Sequence, residues 1–218
     1  MEPGVQCMAT KGASQTLKPY QEAIAEFGPG FEATLWTSPQ AQIKRFDIMM
    51  ELVDFTDQIV IDAGCGIGDF AARLIHCAVD FRGYIGLDGL EGMVQTATER
   101  NLRQSKFVVA DFEREPQVFA AHQPDWICFS GSLNTFTPRQ LRVVVGKAFE
   151  NARCGVVFNV LSNRAHPRYP VKVSPARRMN VVKLLDWALG LSSRVQFRQE
   201  YLDGHDGTFV IEKDASVG

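Results

Sequence analysis

Between residues 58 and 161 the chain alternates short apolar runs with longer stretches whose apolar residues recur every three or four positions. The short runs predict strands at 58–61, 84–87, 107–109, 126–129 and 156–161. The longer stretches predict helices at about 69–78, 90–103 and 138–152. The last of these opens on Thr137-Pro138-Arg139-Gln140, a capping box with proline at the first helical position. Strands that alternate with helices pair in parallel and are covered by helices on both faces.

The flanks have other periods. Tyr20, Ile24 and Phe27 mark an amphipathic helix over 18–27, stopped by Gly28-Pro29-Gly30. Ser38 caps a second helix with Pro39 at its first position, and Ile43, Phe46, Met49, Met50 and Val53 form its apolar face. Ser174-Pro175 is expected to open a further helix carrying Val181, Leu184, Leu185 and Ala188, stopped by Gly190. Segments 195–201 and 208–212 read as strands joined only by a polar turn, Asp203-Gly204-His205-Asp206-Gly207, hence an antiparallel terminal hairpin. The expected architecture is a Rossmann-like, doubly wound α/β sheet of seven strands, mixed through that hairpin. Residues 1–14 read as a loose tail and 15–218 as one domain.

Composition narrows the function classes. With 218 residues, 45% hydrophobic and 22% charged, the chain has the profile of a globular domain with a substantial core. A net charge of −2 gives no global reason to expect a nucleic acid or an anionic membrane as partner. No apolar run reaches the roughly 18 residues of a membrane span, and the N-terminus lacks the pattern of a signal peptide, so a cytoplasmic setting is expected. Five cysteines without a paired C-x-x-C spacing and four scattered histidines support neither a disulfide framework nor a metal site.

The candidate chemistry lies at the strand ends, where doubly wound sheets bind ligands. The first strand runs into Asp62-Ala63-Gly64-Cys65-Gly66-Ile67-Gly68-Asp69. Its glycines permit a tight turn and close approach of a ligand, and the following helix offers free N–H groups. Asp69 stands where the dinucleotide fingerprint needs its third glycine, and Asp62 would repel a pyrophosphate but suit an ammonium. The second strand delivers Asp88, followed by Gly89 and Met93, 20 residues after Gly68. A carboxylate there can accept both hydroxyls of a ribose. The third ends in Asp111-Phe112, an acceptor beside an aromatic ring, suited to an adenine; the fourth ends in Ser130-Gly131-Ser132-Leu133-Asn134.

Taken together, these four strand tips resemble those of the class I S-adenosylmethionine-dependent methyltransferases, over roughly residues 30–213. Trp36-Thr37-Ser38 followed by Gln40, Gln42, Arg45 and Phe46 is similar to the segment preceding this turn in a group of small bacterial methyltransferases. The resemblance implies a seven-stranded methyltransferase fold with an N-terminal helical lid over 15–57 and a core over 58–218. It implies S-adenosylmethionine as cofactor and S-adenosylhomocysteine as product. It further implies a cofactor site comprising Asp62, Ala63, Gly64, Cys65, Gly66, Gly68, Asp88, Gly89, Met93, Asp111, Phe112, Ser130 and Gly131. Trp36 would cover the cleft and Arg45 would bind the cofactor carboxylate through both arms of its fork.

Methyl transfer from a sulfonium asks the protein mainly for alignment and exclusion of water. No residue identifies itself as a general base; His166, Tyr169 and Asn134 fall on cleft-side loops. The fourth strand lacks the Pro-Pro-aromatic sequence of the DNA amino-methyltransferases, which argues against methylation of base amines. From 151 to 185 there is no acid, while Arg164, Arg168 and Lys172 follow the fifth strand. The leading expectation is therefore a small-molecule methyltransferase with Asn134, Arg164, Arg168 and Tyr169 as substrate-site candidates, and an acceptor whose carboxylate or phosphate is held by some of Arg164, Arg168 and Lys172. The alternatives are an RNA or protein methyltransferase, and a protein of the same fold that binds the cofactor without transferring methyl.

Overall fold

The computed structural model describes residues 13–214. Its centre is one sheet of eight strands: β1 (Ile59–Ala63), β2 (Gly83–Asp88), β3 (Ser105–Val109), β4 (Trp126–Phe129), β5 (Gly155–Ser162), β6 (Arg178–Met179), β7 (Val195–Arg198) and β8 (Asp206–Glu212). The order across the sheet is β3-β2-β1-β4-β5-β8-β7, and β6 pairs with the end of β5. The first five strands are parallel, while β8 runs antiparallel to both β5 and β7. The seven expected strands are all present, and β6 adds two residues.

Alternation along the strands sends successive side chains to opposite faces. Ile61, Leu87, Ile127, Phe129 and Phe158 meet Leu141, Val145 and Ala148 of α5 (Pro138–Asn151) and Leu184 and Ala188 of α6 (Val181–Leu189). Val60, Tyr84, Cys128 and Val157 meet Phe46 and Met49 of α2 (Pro39–Leu52) and Phe70 and Leu74 of α3 (Asp69–His76) on the other face. Two further helices, α1 (Lys18–Phe27) and α4 (Glu91–Glu99), supply Ala23 and Met93 to a third small cluster near the strand tips.

The local signals operate as stop and start marks. Ser38 Oγ accepts from the Ala41 N–H, and Pro39 opens α2. Thr137 and Gln140 form the reciprocal capping box of α5. One start is corrected. The helix expected from Ser174-Pro175 begins at Val181, with the Asn180 side chain accepting from the Lys183 N–H. Residues before it leave the helical path because β6 hydrogen-bonds beside β5 at Leu161 and Ser162. The strand expected over 195–201 also ends at Arg198, and a short 3-10 turn, Leu202–Gly204, joins it to β8.

Of the tail expected over 1–14, residues 1–12 lie outside the described residues. Ser14 is buried, and its backbone N–H and hydroxyl both donate to the Asp111 carboxylate. Among the described residues, no helix is long and apolar enough to cross a membrane.

Candidate active site

A cavity of about 520 Å3 opens at the carboxyl ends of β1 to β5, within the size range of small-molecule sites. Its floor is the turn after β1. Gly64 and Cys65 donate their N–H groups to the Leu87 carbonyl at 2.7 and 3.0 Å, which ties the turn to β2. Gly64 has φ +84°, and a Cβ on it would lie 2.2 Å from Ser132 Cβ. The Ser132 hydroxyl in turn donates to the Ala63 carbonyl at 2.6 Å. The turns after β1 and β4 thus pack at a separation only glycine allows.

Asp62, Gly64, Cys65 and Gly66 line this floor, with Asp88, Gly89 and Met93 beyond them from the β2 side. Asp111 and Phe112 close one end after β3, and Ser130, Gly131 and Asn134 border the middle after β4. Ala63 and Gly68 do not reach the cavity. Ala63 is sealed in the core, and Gly68 packs against Phe107, where a Cβ would come within 2.8 Å. They shape the turn rather than touch its contents.

The acids are held by distinct partners. Asp88 accepts from the Gly66 N–H at 2.9 Å and the Leu90 N–H at 3.0 Å, one through each carboxylate oxygen. Burial nevertheless pushes its pKa up to about 6, against the lowering effect of those N–H groups. Asp62 accepts from the Tyr84 hydroxyl through Oδ2, while its Oδ1 is buried with no partner. Burial raises its pKa to about 7, with the neighbouring Asp88 and Asp69 adding to the effect and the Tyr84 hydroxyl opposing it. Burial also pushes the Cys65 thiol well up, so it serves as a small apolar group rather than a thiolate.

Arg45 departs from its expected role. Its Nε and Nη2 both donate to Asp206 at 2.7 Å, and its Nη1 donates to the Ala41 carbonyl. The fork expected to grip a ligand carboxylate is therefore occupied by a buried acid from β8. Arg45 still lines the cavity, stacked beneath the Trp36 ring at 4.5 Å. Trp36 reaches over the cleft because Gly131, at φ +74°, presents no side chain; a Cβ there would meet the indole at 2.6 Å.

The basic residues after β5 also depart from expectation. Arg164 and Arg168 are exposed and outside the lining, as is Lys172. Arg168 is engaged by Asp203 and the Tyr169 hydroxyl. Tyr169 does line the cavity, packed on His205 with ring centroids 4.1 Å apart. Several cavity residues had no sequence signal, His205 and Tyr20 among them. His205 looks like turn polarity in the hairpin, and Tyr20 belongs to an amphipathic helix face; only the folding of the hairpin and of α1 over the strand tips brings them in.

The strand order, with its terminal antiparallel pair, is that of the class I methyltransferases. The family model described as a methyltransferase domain matches residues 60–155, from within β1 to the start of β5, and so includes the glycine turn and the tips of β2, β3 and β4. No curated protein matches the sequence. Among solved structures, the DhpI-SAM-HEP complex has 13% identity over 95% of this chain and 100% of that chain, with a TM-score of 0.68. The magnesium protoporphyrin IX methyltransferase ChlM of Synechocystis PCC 6803 with bound SAM has 14% identity over 93% and 87%, with a TM-score of 0.58. The methyltransferase domain of bacterial CtHen1-CN has 15% identity over 79% and 99%, with a TM-score of 0.61. At such identities the likeness concerns the fold. The fold is thus that of the class I methyltransferases, and the methyltransferase-domain model matches residues 60–155 within it.

Proposed function

We propose that this protein is an S-adenosylmethionine-dependent methyltransferase acting on a small molecule. The observation that carries the reading is the unpartnered Asp62 Oδ1, buried beside the glycine turn in a cavity lined by further acids. An acceptor left buried without a partner costs about 1–3 kcal/mol, which a donating ammonium would offset. A pyrophosphate would instead meet Asp62, Asp69 and Asp88, with no free cation among the described lining residues to balance it.

The residues present fit the cofactor. Asp62 would receive the ammonium, Asp88 the ribose hydroxyls, and Asp111 with Phe112 the adenine. Bound there, the cofactor supplies a methyl group on a cationic sulfur, a reactive electrophile. The chain's part is to orient and to exclude water. Leu17, Tyr20 and the segment from Thr34 to Thr37 line the cavity, which supports reading the region 15–57 as its lid. Ser14 and Thr16 pin that lid to Asp111 and Glu113 after β3.

Calorimetry with S-adenosylhomocysteine and with NADH tests the reading. Binding of the first but not the second is the expected result. A folded chain that binds no S-adenosylhomocysteine overturns it.

The raised acids add a pH signature. Both have folded-state pKa values above their ordinary 3.8, so the ligand-free protein holds more protons than the unfolded chain between that value and about 7. Their contribution to ligand-free stability therefore falls as pH rises through that window. An ammonium against Asp62 favours the carboxylate and displaces its proton. S-adenosylhomocysteine affinity should accordingly rise from pH 6 to pH 8, with net proton release visible as a buffer-dependent binding enthalpy. A flat affinity over that range would remove Asp62 from the ammonium subsite.

A further inference from the structure

The sheet order divides the cavity into two ends. The acids follow β1, β2 and β3, whereas the other end lies between the tips of β4, β5 and β8. There the walls are Trp36, Leu161, Tyr169, Val173, Pro175 and Leu202, and the polar side chains nearby are Asn134, His205, Thr135, Ser174 and the Tyr169 hydroxyl, of which only Asn134 Oδ1 is a buried acceptor without a partner. Resting on the methyltransferase reading, we infer that the methyl acceptor is an uncharged, largely apolar molecule, methylated on a hydroxyl group that Asn134 and His205 meet.

Charge argues first. Among the described residues, Arg45 is the single Lys or Arg side chain in the cavity lining, and Asp206 neutralises it through two hydrogen bonds. The exposed Arg164, Arg168 and Lys172 stand outside. An anionic acceptor would lose its hydration among apolar walls and face the acids of the cofactor end, with no free cation in return.

Hydrogen bonding argues second. Asn134 Oδ1 is buried without a partner, the second such acceptor in the cavity lining after Asp62 Oδ1. It calls for a donor. His205 supplies the opposite role. Arg178 Nη2 lies 3.1 Å from His205 Nδ1, and a guanidinium can only donate, so Nδ1 carries the lone pair and Nε2 carries the proton. Burial lowers the pKa of the ring, which keeps it neutral. The two side chains thus offer one acceptor and one donor, the complement of an O–H group.

The transfer balances with solvent water as the final proton acceptor. The hydroxyl oxygen contributes the electron pair of the new O–CH3 bond, the S–CH3 pair returns to sulfur, and the hydroxyl proton passes to water. The Nε2–H, with the Arg178 cation behind the ring, stabilises negative charge on the oxygen as that proton leaves. His205 is a donor here and not the base.

The test uses protein saturated with S-adenosylhomocysteine and two probes of matched shape, 2-naphthol and 2-naphthoate, titrated at pH 7. We expect 2-naphthol to bind at least tenfold more tightly. We also expect Asn134→Leu and His205→Phe each to weaken 2-naphthol about tenfold while still binding S-adenosylhomocysteine. His205→Gln, which retains a side-chain N–H, should recover most of the loss. Equal or tighter binding of 2-naphthoate, or binding of neither probe by the saturated protein, overturns the inference. A failure to bind S-adenosylhomocysteine at all would instead overturn the methyltransferase reading on which it rests.

Discussion

Replacing Asp88 with alanine should weaken S-adenosylhomocysteine binding about a hundredfold. The carboxylate has two duties. It accepts the Gly66 and Leu90 N–H groups, which hold the floor of the cavity, and each oxygen keeps a further lone pair for a ribose hydroxyl. Hydrogen bonds to a charged group contribute about 1.5–3 kcal/mol each, so losing two gives roughly 3 kcal/mol or more, and 1.4 kcal/mol is tenfold in affinity. Asp88→Asn separates the duties, because the amide keeps one acceptor and the side-chain shape; it should fall between the two proteins. Calorimetry reads all three. If Asp88→Ala binds within threefold of the parent, the ribose assignment fails.

The second large effect concerns stability. Arg45→Met should destabilise the fold by about 3–5 kcal/mol, because it leaves the fully buried Asp206 carboxylate without its cation. For a domain of this size that corresponds to a fall of roughly 6–20 °C in melting temperature. The double variant Arg45→Met/Asp206→Leu should recover most of the loss, since no charge then remains buried. A single variant melting within about 2 °C of the parent would show that the pair contributes little. Both the single and the double variant should also disturb the cavity wall, because Trp36 rests on the guanidinium.

The Arg45 pair shows where sequence reading stopped. Position 45 lies on a helix before β1 and position 206 begins the last strand, so 161 positions separate them. An arginine near a glycine turn invites the reading of a ligand contact. The acid that claims it becomes visible only when β8 inserts between β5 and β7. The acid-free stretch from 151 to 185 misled for a related reason. Charge counted along the chain does not say which way the side chains point, and Arg164, Arg168 and Lys172 turn to water.

Other features were legible because their causes are local. The caps at Ser38 and Thr137 depend on groups three residues apart, and the structure holds both. The strands after residue 58 followed from runs of apolar residues too short for helices. Ser174-Pro175 carried a start signal as plain as Ser38-Pro39, yet pairing of Arg178 and Met179 with β5 delayed the helix to Val181.

By itself, then, the chain determined the alternation of strands and helices and the terminal hairpin. It also set the acid–glycine turn and the acids at successive strand tips, all from periodicity, capping and residue type within a few positions. Tertiary structure alone decided that Arg45 serves Asp206 and that Ser14 closes over Asp111. It alone brought His205 and Tyr20 into the cavity that Tyr169 and Asn134 also line. Such pairings depend on strand order and loop path across the whole sheet, and no local spacing encodes which distant side chain will arrive.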